Sequence, residues 1–303
     1  MRAKLRAAAG LVATLAASGV LAAQGARPLP DADEFFERVR QNLSRAERED
    51  FRYAFTEQRT DIHRNPFGRL GTGGTRLFEV YPSATRRLTY RRLVARDGVP
   101  VPASELAEQD REYRERAADV RRELATRSED ERRRLEADAE ERRRRAQERV
   151  EDVIGTLAFT LKGRTTYRGT EAIVIAFTPK PDADPRTREG RIAGKFAGTI
   201  WVDEAAAEVM RVEAEAIDSI SFGFGIIARL GEGATVTLTR RPVEDGLWLP
   251  TELTLSGRGR AVLFRRLDLD FRVEWSDYRR QEGGSLTPFL DSRVEGQPGG
   301  RPQ

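Results

Sequence analysis

The chain has 303 residues, room for one large or two small domains. It carries 53 Lys and Arg, 49 Asp and Glu, a single His and no Cys. The missing Cys excludes disulfides, thiolate chemistry and an acylated N-terminal cysteine, and the near balance of charge excludes the one-sign field that non-specific nucleic-acid binding needs.

Arg2, Lys4 and Arg6 precede an apolar run of small residues from Ala7 to Ala23. That order predicts a secretory signal, residues 1–23, with peptidase sites at Val20–Ala22 or Ala23–Gly25. The other reading, a retained anchor, needs a longer and greasier run than about 17 residues of Ala and Gly. Removing residues 1–23 takes away three cations and no anion, so the formal charge falls from +4 to +1. The expected compartment is the periplasm, with no lipid attached.

After a linker over 24–30, Asp31 is placed to cap a helix over about 32–48, with Phe35, Phe36, Val39 and Leu43 at steps of three and four. Period-two strands are then predicted over 51–58, 75–81 and 85–95. Asp97-Gly98 marks a turn and Pro100 and Pro102 end this stretch.

Residues 104–154 are different material: 17 acids and 14 Arg in 51 residues, with no Gly or Pro. Acid-before-base pairs at i, i+4, such as Glu129–Arg133 and Glu141–Arg145, predict a helix. Unbroken, it would be roughly 75 Å long. Ser128 with Glu131 fits a capping box and offers a break near 127, but one long helix is the favoured reading.

Strands resume over 158–167 and 171–178, around Arg168-Gly169. The loop from Pro179 to Lys195 holds Arg186, Arg188, Arg191 and Lys195, which makes it the most basic loop of the mature chain. These four are candidate contacts to a head group or an acidic partner. Next comes a hairpin, Phe196–Asp203 and Val209–Ala216, whose second arm alternates apolar with charged residues. Further strands are predicted over 221–230, 234–241, 251–258 and 267–275, and the chain after Tyr278 reads as a disordered tail, residues 280–303. The domain plan is therefore a signal (1–23), a helix and first strands (24–103), the insertion (104–154) and the remaining strands of the same β-domain (155–279).

The predicted class is mainly β (α+β): one large curved antiparallel sheet, or unclosed β-barrel, of about ten strands joined as a meander. It carries an N-terminal helix and one long charged helical insertion. The inner-face set is Phe51, Tyr53, Phe55, Leu88, Tyr90, Ile200, Met210, Val212, Phe222, Phe224, Leu267, Phe271 and Trp275. It reads either as ordinary core beneath the helix or as a lipid-facing lining, because one short helix cannot cover so wide a sheet. His63 with Asp61 makes one pair only, too few for a metal site or a triad. No catalytic residue, cofactor or metal is expected, and the protein is read as non-enzymatic.

The order of elements, with F-x-G-x-I-W-V-D at Phe196–Asp203, V-M-R-V-E-A-E-A at Val209–Ala216 and D-G-x-W-L-P at Asp245–Pro250, resembles exported proteins related to outer-membrane lipoprotein-sorting proteins. The resemblance implies the unclosed barrel of the lipoprotein carriers LolA and LolB and of the sensor RseB, with an apolar concave side that holds acyl chains. It implies no catalytic residue. The expected function is lipid or lipoprotein binding in the periplasm, with acyl chains or a lipidated protein as partner and no nucleic acid. The alternative is an envelope scaffold or sensor that contacts another envelope protein through residues 104–154.

Overall fold

The computed structural model describes residues 27–64, 72–83, 86–126, 128, 141, 144–145, 147–222, 228–243, 246–261, 265–281, 287 and 289–290. The predicted signal lies outside these residues. Helix α1 (Ala32–Glu49) starts where Asp31 accepts a hydrogen bond from the Glu34 amide at 3.0 Å. A 3-10 turn (Asp50–Arg52) leads into β1 (Tyr53–Arg64), β2 (Thr72–Tyr81), β3 (Tyr90–Arg96) and the short β4 (Val99–Pro100). Then come α2 (Ala103–Ala125) and a further helix, α3, described over 147–156. After β5 (Leu157–Tyr167) and β6 (Thr170–Pro179) the short α4 (Arg188–Ala193) precedes β7 (Phe196–Asp203) and β8 (Glu208–Ala216). The chain closes with β9 (Ile220–Phe222), β10 (Ala228–Leu230), β11 (Thr235–Pro242), β12 (Trp248–Ala261) and β13 (Arg265–Arg280).

The strands form one open antiparallel sheet in the order β4-β3-β2-β1-β13-β12-β11-β8-β7-β6-β5, with β10 and β9 branching from β12. This is not the simple meander expected. The first and last long strands, β1 and β13, pair in the middle of the sheet. The insertion between β4 and β5 therefore joins its two outer edges.

Cross-strand register assigns the two faces. One row runs Ile175, Ile200, Val212, Leu238, Leu253, Val273, Arg59, Arg76. The adjacent row on the same face runs Phe177, Gly198, Ala214, Val236, Leu255, Phe271, Asp61, Gly74. A row on the opposite face runs Ala176, Thr199, Glu213, Thr237, Thr254, Arg272, Thr60, Thr75. Apolar and polar rows alternate because successive side chains of a strand point to opposite sides. Two residues of the first face are glycine for a reason of space at Gly198: a Cβ there would lie 2.0 Å from the Glu213 carbonyl oxygen.

Helix α1 lies on the apolar face. Phe35, Phe36, Val39 and Leu43 pack on Ile173, Ile175, Val202 and Val209. Arg38 and Asn42 also donate to the carbonyls of Ala205 and Ala206, at 2.7 and 2.9 Å, which fastens α1 to the β7–β8 turn. Helix α2 lies on the other face, where Tyr113, Ala117 and Val120 are buried over Tyr90, Tyr81 and Leu88.

Three further expectations change. The insertion is not one unbroken rod: α2 ends at Ala125, the Thr126 hydroxyl bonds back to the carbonyls of Arg122 and Glu123, and Ser128 is not helical. The predicted strand 221–230 is two short antiparallel strands, with Ser221 opposite Arg229, and Gly223 and Gly225 lie outside the described residues. The tail is not wholly loose either, because Thr287 and Phe289 are 1 % and 2 % exposed beneath α2.

Candidate functional site

The apolar face is covered unevenly. Its β5–β8 end sits under α1, whose last turn reaches Tyr53, Leu247 and Leu249 through Ala46. Beyond α1, across β11, β12 and β13, Val236, Leu238, Leu253, Leu255 and Phe271 are only half-buried. Leu255 packs on the cluster of Ala216, Leu230, Ala234 and Leu269. Leu238, Leu253 and Phe271 lie outside the packed clusters of the described residues. Together they make an apolar strip that no described helix covers.

The strip ends in charge. The Arg59 guanidinium sits 5.2 Å from the centre of the Phe271 ring and 3.3 Å from the Asp61 carboxylate. Arg91 stands over Phe78 at 4.2 Å and pairs with Glu57 at 2.5 Å. Guanidinium stacking on an aromatic face is favourable while the outer edge still faces water. These ion pairs form a rim on β1–β3.

The predicted inner-face residues separate into groups. Ile200, Val212, Phe271 and Trp275 share the strip face and are half-buried. Phe55 is half-buried with its ring 5.5 Å from Tyr278, and Tyr53 is core beneath α1. Phe51 is exposed in the 3-10 turn. Leu88 and Tyr90 are on the far side: Leu88 is fully buried in a 3-10 turn, and Tyr90 stacks on Tyr113 at 4.3 Å under α2. Met210 stands at a register shift in the β7–β8 ladder and packs with Ala172 and Trp248, on the side away from α1. Phe222 and Leu267 take part through their strands, and Phe224 lies outside the described residues. Val236, Leu238, Leu253 and Leu255 were missed, although the period-two pattern that placed their strands also marks them.

Of the basic loop, Arg186, Arg188 and Arg191 are exposed, and Lys195 is 2.5 Å from Asp218. Acids meet this loop. Asp152 of α3 accepts from the amides of Arg186 and Thr187 at 3.1 and 2.8 Å and from the Thr187 hydroxyl at 2.6 Å. These bonds, the hydroxyl first, hold its carboxyl below the usual carboxylate range. A polar cleft of about 480 Å³ lies here, lined among others by Glu148, Glu151, Asp152, Asp184 and Arg186. It has no apolar wall for an acyl chain. Asp61 is buried beside Arg59, and the His63 side chain is outside the described residues. Among the described residues no group of three His, Cys, Asp or Glu is placed to hold a metal ion. None of the described helices is long and apolar enough to cross a membrane.

The class defined by these features is an open antiparallel β-wall with a helix on each face and one apolar side partly uncovered. No family model and no curated protein matches the chain. Three solved structures are similar over 85 % of it. A domain named for outer-membrane lipoprotein sorting, from Vibrio parahaemolyticus, is 11 % identical, is covered over 99 % of its length and has a TM-score of 0.28. A DUF1329 family protein from Desulfovibrio piger is 12 % identical, 98 % covered, with a TM-score of 0.28. MucB, solved in complex with MucA(peri), is 11 % identical, 97 % covered, with a TM-score of 0.21. The fold itself rests on the strand order above.

Proposed function

We propose that the protein is a non-enzymatic, exported lipid- or lipoprotein-binding module of the lipoprotein-carrier type, acting in the periplasm. It takes an acyl chain along the strip of Leu238, Leu253, Leu255 and Phe271. The observation that supports this is the half-burial of that strip in the middle of a sheet whose neighbouring strands are packed under α1. An uncovered apolar band on an ordered sheet is the feature expected of a site for an apolar ligand. Arg59 and Arg91, each stacked on a ring at the strip's end, give the ligand's polar end a charged boundary.

Native mass spectrometry of full-length protein extracted from membranes tests the reading. A co-purifying lipid is expected, displaced by a fluorescent fatty acid at micromolar concentration. Protein that carries no lipid and binds no fatty acid would sink the proposal.

A further inference from the structure

We infer that Thr287, Phe289 and Leu290 form a latch that holds α2 shut over the open edge of β3. The edge comes first. β4 contributes two residues only, and it pairs with Ala95 and Arg96. Leu93 would otherwise present its outward amide and carbonyl to solvent, as unpaired edge strands do. The Gln109 side chain takes both groups: its oxygen accepts from the Leu93 amide at 2.9 Å and its nitrogen donates to the Leu93 carbonyl at 3.1 Å. One side-chain amide thus does the work of a neighbouring strand.

Polar ties fix helix α2 to this edge, Asp110 to Tyr90 and Arg92, and Glu105 to Arg96, but its apolar footing is small. Only Tyr113, Ala117 and Val120 are buried, and most of its remaining side chains face water. The C-terminal segment supplies the missing apolar contact. The Phe289 ring lies 4.8 Å from Tyr90, 5.1 Å from Tyr81 and 5.7 Å from Tyr113, so it wedges between the sheet and the helix. Leu290 packs on Leu88, Ala117 and Val120. Arg121 of α2 donates to the Thr287 hydroxyl at 2.5 Å. The tail therefore touches both partners that it would join.

The test is hydrogen exchange on the full chain, comparing the parent with Phe289→Ala and with the milder Thr287→Val. The α2 amides and the Leu93 amide are followed, with β7–β8 amides as an internal reference. The latch predicts exchange about a hundredfold faster in α2 and at Leu93 for Phe289→Ala, and a smaller rise of the same pattern for Thr287→Val, while β7–β8 stay protected. Unchanged α2 protection would mean that the tail rides passively and would overturn the inference. An equal loss at β7–β8 would make Phe289 ordinary core and would overturn it too. Should Phe289→Ala fail to fold, the Thr287→Val pattern alone decides.

Discussion

Glu208 and Arg240 are 2 % and 5 % exposed, and neither is a residue that a strand pattern marks for burial. Arg240 reaches Glu208 at 3.4 Å and donates to the Trp248 carbonyl at 2.6 Å, while Arg45 meets the other Glu208 oxygen at 3.3 Å. Burial pushes the Glu208 carboxyl up, and the two guanidiniums only partly offset this. Burial also pushes Arg240 down. Removing one partner of such a pair leaves an uncompensated buried charge, whereas replacing both can be nearly neutral. Arg240→Met should therefore cost about 3 kcal/mol at neutral pH by urea denaturation, and Glu208→Leu/Arg240→Met should recover most of it. An acid with a raised folded-state pKa favours the fold while protonated, and that contribution is lost as pH rises through the raised value. The Arg240→Met deficit should accordingly shrink as pH falls. A deficit below about 1 kcal/mol at pH 7, or one that grows in acid, contradicts the pairing. Met210 gives a second residue-scale lesson. It obeys the alternation of its strand on paper, yet the shift between Trp201 and Val202 turns it away from α1. A shift of one residue is invisible in a sequence because it depends on the partner strand.

At the scale of elements, alternation and capping were legible. Asp31 caps α1, the period-two runs are strands, and Asp97-Gly98 is a turn with both residues at positive φ. Two things were not. The 3-10 turn at Arg86–Leu88 breaks a run that reads as continuous strand, and it delivers Leu88 to α2. The docking of Phe289 comes from a Gly- and Ser-rich stretch whose composition argues for disorder, since one buried ring is too little to change a composition. The attachment of α3 was also unreadable, because Asp152 and Thr187 are 35 residues apart. Gly190 shows how close that contact is: a Cβ there would fall 2.2 Å from Asp152 Oδ2, an atom pinned by the Thr187 amide and hydroxyl. Asp152→Ala and Gly190→Ala should each speed proteolytic cutting within residues 180–187 while the sheet stays protected. Since the Asp152 pKa is lowered, its contribution is present at neutral pH and is lost as pH falls through the lowered value. The parent loop should therefore become cuttable in acid, whereas Asp152→Ala should show no such change. Equal cutting of parent and variants at pH 7 would deny the clamp.

On the scale of the whole molecule, the first and last long strands meet in the middle of the sheet, and the insertion ties its edges. On the proposed reading, an apolar ligand would meet the face opposite α2, where β11, β12 and β13 carry the half-buried strip. Adjacent residues of β12 make the sharpest test of it. Leu253 is in register with Leu238 and Val273 on the strip face, whereas Thr254 is in register with Thr237 and Arg272 on the polar face. Both are half-buried, so a charge at either position can reach water. Leu253→Glu places a carboxylate where an acyl chain would lie, and desolvating that charge on binding is costly. Its affinity for a fluorescent fatty acid should fall at least about tenfold, the scale set by losing one buried aliphatic side chain. Thr254→Glu, one residue along, should bind as the parent does. Far-ultraviolet circular dichroism of both variants should match the parent, which separates lost binding from lost fold. If both substitutions weaken binding alike, the ligand does not lie on the strip, and if neither does, the uncovered band serves some purpose other than holding a chain.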